Sequence, residues 1–376
     1  MSSVSNTTWK KRERRKPRVG VVVISYNTAE LTRKSVEALL ASKGVQLDIV
    51  VIDNASTDRS PVSLARKYKV RKNHDWMERL SPLARDEQVK ETFPQVESDL
   101  ELVTNIRSTT QDEHTLHLVE LRKNIGFGRA NNVASALLDQ AEYLLFVNSD
   151  AFVRARTVIT LVKAFQKSNF SKPTSVLGRT QQMIDNVGIA AAQVFNNDKT
   201  IQVQGGALPS ITNIFCWITF LDDIPFVHRI LPPYQHHEVQ MRWLRQKKLA
   251  KVGWVGGTVM MISRPCLEEI GGFDPHIFMY GEDVELSWRA NRRHWDVVLV
   301  DAGQVVHLGS ASSDHKNAIV GEINGLLYLW YKHTSGFDLW LIRQILRFGI
   351  RLRILVFGIL RRYGLQRAYQ EALALV

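Results

Sequence analysis

Apolar residues fall in two rhythms along this chain. Residues 19–24, Val-Gly-Val-Val-Val-Ile, form a continuous apolar run rich in β-branched side chains. That is the pattern of a strand buried on both faces. Residues 28–42 then place Leu31, Val36, Leu39 and Leu40 at helical spacing, and residues 47–52 read as a second buried strand. The second strand runs into Asp-Asn-Ala-Ser-Thr-Asp, which is turn chemistry. Strand, helix and strand in that order predict a mostly parallel central sheet flanked by helices.

Residues 69–117 interrupt the rhythm. They are polar, contain Pro82 and Pro94, and read as an insertion that is partly helical and mobile. Strands are predicted again at 116–121, 143–147, 187–195, 255–262 and 297–300, and helices at 130–140, 152–168 and 281–293. The expected division is a basic tail over 1–17, a catalytic domain over 18–312 and a helical C-terminal extension over 313–376.

That extension is amphipathic. Between residues 339 and 360, Leu341, Ile342, Ile345, Leu352, Leu355, Val356, Ile359 and Leu360 share one half of a helical wheel. Arg343, Arg347, Arg351, Arg361 and Arg362 share the other, with Arg353 at the border. Such a helix suits either a membrane interface or a packed contact, with the chain itself or with a second copy.

Charge sharpens this picture. The chain of 376 residues carries +12, yet residues 1–18 hold seven basic side chains against one acid, and residues 341–376 do the same. The body is therefore neutral and the ends are basic, which fits an anionic membrane surface. Nucleic acid is not the expected partner, because the N-terminal run lacks interleaved aromatics for base stacking. Two cysteines exclude a disulfide scaffold and a Cys-rich zinc module. The apolar run after the basic start is too short for a secretory signal, and no stretch approaches the ~20 apolar residues of a membrane span. A cytoplasmic protein, peripheral on the inner face of the cell membrane, is the expected location.

Polar groups gather where predicted strands end, which is where open parallel sheets bind ligands. Asp53, Asp150 and the Glu282-Asp283 pair are carboxylates in such places. Asp150 suits a divalent cation, with His307 as a distant partner, and equally suits a helix N-cap. Glu282 and Asp283 suit a general base, and acids at a helix start are also favoured by the macrodipole. Asn124-Ile-Gly-Phe-Gly-Arg-Ala-Asn-Asn132 is a Gly-containing turn able to cradle phosphate. Asn131 stands where a dinucleotide fingerprint needs its third glycine, so that reading fails.

Taken in order, Ser25-Tyr26-Asn27, Asp53 to Asp58, Asn124 to Asn132, Asn148-Ser149-Asp150, Gly271 to Asp274, Gly281-Glu282-Asp283 and Val306-His307 resemble the family 2 glycosyltransferases of GT-A fold. The bacterial rhamnosyltransferase-like group is the nearest subset. The resemblance implies that Ser25, Tyr26 and Asn27 lie along the base and ribose of a nucleotide sugar and that Asp53 bonds the base. It implies that Asn124, Gly126, Arg129 and Asn132 border the ribose and diphosphate, with Ser149 also on the nucleotide sugar. Asp150 and His307 become ligands of Mg²⁺ or Mn²⁺, and Asp283 becomes the base, with Glu282 beside it. Trp254, Gly256, Gly257 and Thr258 shape the sugar pocket. Asn148 replaces the first acid of the usual metal motif. The implied reaction moves a sugar, with dTDP-L-rhamnose as donor, to a lipid-linked or cell-surface glycan with inversion. A catalytically silent nucleotide-sugar-binding or scaffold protein is the competing expectation.

Overall fold

The computed structural model describes residues 15–73, 78, 80, 82–83, 85–111, 113–166, 184–224, 227–231, 233–235, 249–309 and 315–376. Most of the basic tail, including Lys10, Lys11, Arg12 and Arg14, lies outside the described residues.

The strands are β1 (Arg18–Ser25), β2 (Gln46–Asp53), β3 (Arg71–Lys72), β4 (Val103–Gln111), β5 (His114–Leu121), β6 (Tyr143–Asn148), β7 (Ala151–Phe152), β8 (Val187–Phe195), β9 (Gly205–Gly206), β10 (Leu249–Val252), β11 (Trp254–Val255), β12 (Val259–Ser263) and β13 (Asp296–His307). All but β9 and β11 join one sheet, ordered β10-β13-β8-β12-β6-β1-β2-β5-β4-β3, with β7 on β13. The central strands β6, β1, β2 and β5 are parallel, as the apolar runs predict. Antiparallel β12 separates them from the parallel pair β8 and β13, so the sheet is mixed. A buried apolar run reveals burial on both faces but carries no mark of direction.

Successive residues of β1 and β2 serve opposite faces. Val22, Val50 and Ile52 enter one core, and Val21, Val23, Ile49 and Val51 enter the other. Helices α1 (Ala29–Leu40), α2 (Ser60–Tyr68), α3 (Glu87–Thr92), α4 (Val96–Leu100), α5 (Phe127–Leu137), α6 (Thr157–Gln166), α7 (Ile211–Ile218), α8 (Arg264–Ile270) and α9 (Glu282–Arg292) surround these layers.

Among its described residues, the segment read as a mobile insertion packs on the body. Its β4 extends the sheet antiparallel to β5, and Phe93, Val96, Leu100 and Ile106 are buried in a main core. The strand predicted over 255–262 is two strands, since residues 256–258 lie between β11 and β12. The helix predicted at 152–168 begins at Thr157, and Ser168 lies outside the described residues.

Three C-terminal helices complete the molecule: α10 (His315–His333), α11 (Gly336–Ile359) and α12 (Tyr363–Leu373). They form a third core in which Ile342, Leu346 and Ile350 of α11 pack with Ile214 and Ile218 of α7 and with Val284 of α9. Arg353, at the border of the helical wheel, is buried. Its Nε donates to the Ile218 carbonyl at 2.9 Å, and its guanidinium lies 4.2 Å from the Phe220 ring centre. The extension thus bears directly on the helix that carries Glu282 and Asp283.

Candidate active site

The strand ends open onto one cleft of about 600 Å³. Tyr26 follows β1, Asn54 follows β2, and Asn148, Ser149 and Asp150 follow from the end of β6. His307 ends β13, Gly257 lies between β11 and β12, and Glu282 and Asp283 open α9. Asp150, the Glu282-Asp283 pair and His307 thus line one cleft although they are far apart in sequence, whereas Asp53 does not line it.

Other predicted residues build the cleft from behind. Ser25 is fully buried, its hydroxyl 2.9 Å from that of Thr32. Asn27 takes a left-handed backbone, and its Oδ1 accepts from the Thr57 N–H at 2.7 Å, which ties the β1 and β2 turns together. Asn124 lines the cleft, and its Oδ1 accepts from Asn54 Nδ2 at 2.9 Å. Gly126 has φ +86°, and a Cβ there would stand 2.6 Å from the Phe278 carbonyl. Glycine is needed for both reasons. Asn132 spends its amide on the backbone of Phe273, accepting from the N–H and donating to the carbonyl, both at 2.8 Å.

Arg129 departs from expectation. It does not line the cleft, and its Nε donates at 2.9 Å to Asp99 Oδ2 of α4. Asp99 is 1% exposed, so a buried carboxylate holds this guanidinium against the segment of 69–117. The pairing raises the pKa of Arg129 further.

Asp53 is also buried. Its Oδ2 accepts from the Ser56 N–H at 3.0 Å, while Oδ1 has no partner. Burial raises its pKa. An orphaned oxygen at a strand end is costly unless a ligand takes it up.

Asp150 Oδ1 faces His307 Nε2 at 3.2 Å. Gln202 fixes the other side of the imidazole. Its Nε2 donates to the His307 carbonyl at 2.8 Å and to Asn196 Oδ1 at 2.6 Å, so its Oε1, 2.6 Å from His307 Nδ1, must accept. Nδ1 therefore donates to Gln202, and Nε2 is the ring atom turned to the Asp150 carboxylate, with Asn148 Nδ2 3.4 Å away. The donor set fits a divalent cation whose other ligands are diphosphate and water oxygens. Among the described residues no group of three His, Cys, Asp or Glu side chains stands together, so protein alone would not fill such a shell.

Asp283 is held by backbone donors. Oδ2 accepts from the Gly257 N–H at 3.0 Å and Oδ1 from the Val284 N–H at 2.8 Å. Burial raises its pKa against these bonds. Glu282 is 6% exposed, and its Oε2 has no partner. Burial, with the charge of Asp283 second, pushes its carboxyl up to about 8. The two carboxyls are adjacent and buried, so they titrate as a pair.

Asn54 and Gln202 line the cleft and were missed by sequence reasoning. Asn54 was visible in the turn after β2. Gln202 carries no local signal.

With this geometry established, residues 17–319 match the family described as glycosyltransferase like family 2. The chain belongs to that family. An 85-residue stretch is 33% identical to the N-acetylglucosaminyl-diphospho-decaprenol L-rhamnosyltransferase of Mycobacterium tuberculosis, in strains CDC 1551 / Oshkosh and ATCC 25618 / H37Rv. The match spans 22% of this chain and 28% of that relative. A mannosyltransferase from Pyrobaculum calidifontis, solved with GDP-Man and Mn²⁺, superposes with a TM-score of 0.51 at 17% identity, covering 96% of this chain and 86% of that one. The family 2 chain described here has the GT-A fold expected of it.

Proposed function

We propose that this family 2 glycosyltransferase moves L-rhamnose from dTDP-L-rhamnose to a hydroxyl of a lipid-linked acceptor, with inversion. The observation that carries the reading is the convergence of Asp150, His307 and Asp283 on one cleft. The sugar and the acceptor class follow the mycobacterial relative, whose name specifies rhamnosyl transfer to an N-acetylglucosaminyl-diphospho-decaprenol.

The chemistry follows from the placements. Asp283, anchored by the two N–H donors, takes the proton from the acceptor hydroxyl. That oxygen forms a bond to the anomeric carbon as the bond to the diphosphate oxygen breaks on the opposite side, and the leaving group departs as the nucleoside diphosphate. One displacement inverts the configuration. Asp150 and His307 would hold Mg²⁺ or Mn²⁺, which when bound neutralises charge on the diphosphate. The Asn124–Gly126 turn and Ser149 border the donor, and the free Oδ1 of Asp53 is available to a donor group on the base. Positioning supplies much of the rate.

The test is thermal stabilisation by dTDP-L-rhamnose, UDP-N-acetylglucosamine, UDP-galactofuranose and GDP-mannose, with and without Mg²⁺ or Mn²⁺. A bound ligand at a hundred times its Kd stabilises by about 2.7 kcal/mol. The expected result is a metal-dependent shift largest with dTDP-L-rhamnose, lost in Asp150→Ala. A larger shift with another donor reassigns the sugar, and a shift with none of them defeats the reading.

Helix α11 supports a peripheral location on the inner membrane face. Beyond its packed face, Phe337, Trp340, Phe348, Leu355 and Ile359 are exposed on one side of the helix. Arg351 and Arg361 are exposed beside them. Among the described residues no helix is long and apolar enough to cross a membrane. Apolar burial flanked by arginines suits an anionic leaflet. The full chain should sediment with phosphatidylglycerol vesicles more than with phosphatidylcholine vesicles, and Phe348→Glu should weaken both. No sedimentation even at low salt removes the membrane from the proposal.

A further inference from the structure

A second chamber of about 190 Å³ lies behind the catalytic turn. Tyr280, Glu282, Asp283 and Ala318 line both it and the donor cleft, so the two spaces border the same pair of carboxyls. Its far wall is not made by the strand-end residues. It comes from Tyr234, Gln235 and Trp254 and from α10, which contributes Glu322, Gly325 and Leu326. Glu322 lies beyond the stretch that matches the family.

Glycine lets α10 come this close. A Cβ on Gly325 would stand 2.4 Å from the Tyr280 carbonyl oxygen, and one on Gly321 would stand 2.4 Å from the Tyr280 ring. These glycines are one helical turn apart, and Glu322 sits between them. The approach brings a third carboxyl to the space that Glu282 and Asp283 already face. Gln235 Nε2 donates to Glu322 Oε1. Glu282 Oε2 is buried without any partner.

Asp283 and Glu322 each have a donor, but the buried Glu282 Oε2 has none, and such an oxygen beside a void is costly until a ligand donates to it. The chemistry that relieves the cost is a ligand rich in neutral hydrogen-bond donors, with an apolar face for the buried Trp254 ring. Those are the properties of a sugar ring. An anionic sugar would meet like charges. Burial pushes Glu322 up to about 7, so it both donates and accepts near neutrality.

We propose that this chamber takes a neutral sugar ring of the acceptor, and that Glu322 positions it by bonding a hydroxyl or amide next to the hydroxyl that reacts. The inference rests on the glycosyl-transfer reading and adds to it where the acceptor sugar sits and a positioning residue beyond the stretch that matches the family. Glu322 touches the acceptor and not the donor, so its loss acts on acceptor KM.

The experiment measures rhamnosyl transfer by the full chain from dTDP-L-rhamnose to N-acetylglucosaminyl-diphospho-decaprenol in detergent. Binding of dTDP and the melting temperature are followed in parallel. A hydrogen bond to a charged group is worth about 1.5–3 kcal/mol, so Glu322→Ala should raise acceptor KM about 10- to 100-fold. Its effect on kcat should be smaller, and dTDP binding should stay within about twofold of the unsubstituted chain. Glu322→Gln, which still bonds a hydroxyl, should recover most of the loss. Ala318→Leu, at the junction of the two spaces, should raise acceptor KM by steric obstruction even if Glu322→Ala proves poorly folded. An acceptor KM unchanged in both Glu322→Ala and Ala318→Leu, while the unsubstituted chain transfers sugar, overturns the chamber assignment. If the unsubstituted chain transfers no sugar from any of the four donors, glycosyl transfer itself fails and the inference falls with it.

Discussion

Helix α9 carries two kinds of carboxylate within its first turn. Glu282 and Asp283 face the cleft and the chamber, with backbone N–H groups donating to Asp283 and an orphaned oxygen on Glu282. Glu285 is fully buried and surrounded by cations. It accepts from Arg289 Nε at 2.9 Å, from Lys332 Nζ at 2.7 Å and from His333 Nε2 at 3.2 Å. Burial is comparable for Glu282 and Glu285, yet the outcomes are opposite. Burial and a neighbouring negative charge push Glu282 up, whereas the bonds to His333, Arg289 and Lys332 hold Glu285 well below the usual carboxylate range. The partner therefore decides what a buried carboxyl does. One set is left reactive, and the other is spent on structure.

Arg289 also explains why the structural set matters to the site. Its Nη2 donates to the Gly272 carbonyl at 2.7 Å, fixing the turn that follows α8. Lys332 bonds Asp274 Oδ2 at 2.6 Å as well as Glu285. The same helix, α10, thus clamps α9 with Lys332 at one end and offers Glu322 to the chamber nearer the other.

Substitutions should separate the two sets. Asp283→Asn removes the base and should lower turnover on the order of 10²–10⁴-fold, with dTDP binding and melting temperature nearly unchanged. Near-normal turnover would move the base to Glu282 or end the proposed mechanism. Glu285→Ala should do the reverse in origin: it strands Arg289 and Lys332 and should destabilise by about 3–5 kcal/mol, read from denaturant unfolding. A fully stable Glu285→Ala chain would show that solvent or another carboxylate compensates Arg289, and the division of roles on α9 would not hold.

The comparison also shows what sequence could and could not reveal. Strands β1 and β2 were legible because β-branched runs have few other uses, and Asp53, Asp150 and Asp283 were legible because each follows such a run or opens a helix. Glu285 lies in the same stretch, but its partners Lys332 and His333 come from another helix. No local pattern announces such a meeting. Arg129 was misplaced for the same reason: its partner Asp99 lies in a segment without periodicity, so a guanidinium beside a Gly turn looked free for phosphate. On α11 the helical wheel identified an apolar half, but a wheel has no knowledge of a second layer. Arg353 is buried by Trp217, Phe220 and Tyr369, and Leu355 and Ile359 are left exposed.

The smallest effect expected is in the pH dependence of stability. Burial raises Glu282 from 4.5 to about 8 in the folded chain. The folded chain then keeps a proton that the unfolded chain releases above about pH 4.5, so the contribution to stability is full below that value and is lost as pH rises through 8. Glu322, raised to about 7, adds a slope of the same sign. Glu285 is depressed, so its contribution is present above about pH 4.5 and is lost only as pH falls below that. The reactive set therefore weakens the fold on the alkaline side, and the paired set weakens it on the acid side. Melting temperatures between pH 6 and 9 test the alkaline limb. The unsubstituted chain should lose stability across that range, and Glu282→Gln, which has no proton to release, should lose less. At pH 9 the variant should melt on the order of a few degrees higher. Glu285→Gln should leave the alkaline slope as it is and flatten the curve below pH 5. Parallel curves for Glu282→Gln and the unsubstituted chain would mean that Glu282 is already ionised at neutral pH, and the contrast between the two sets would lose its electrostatic basis.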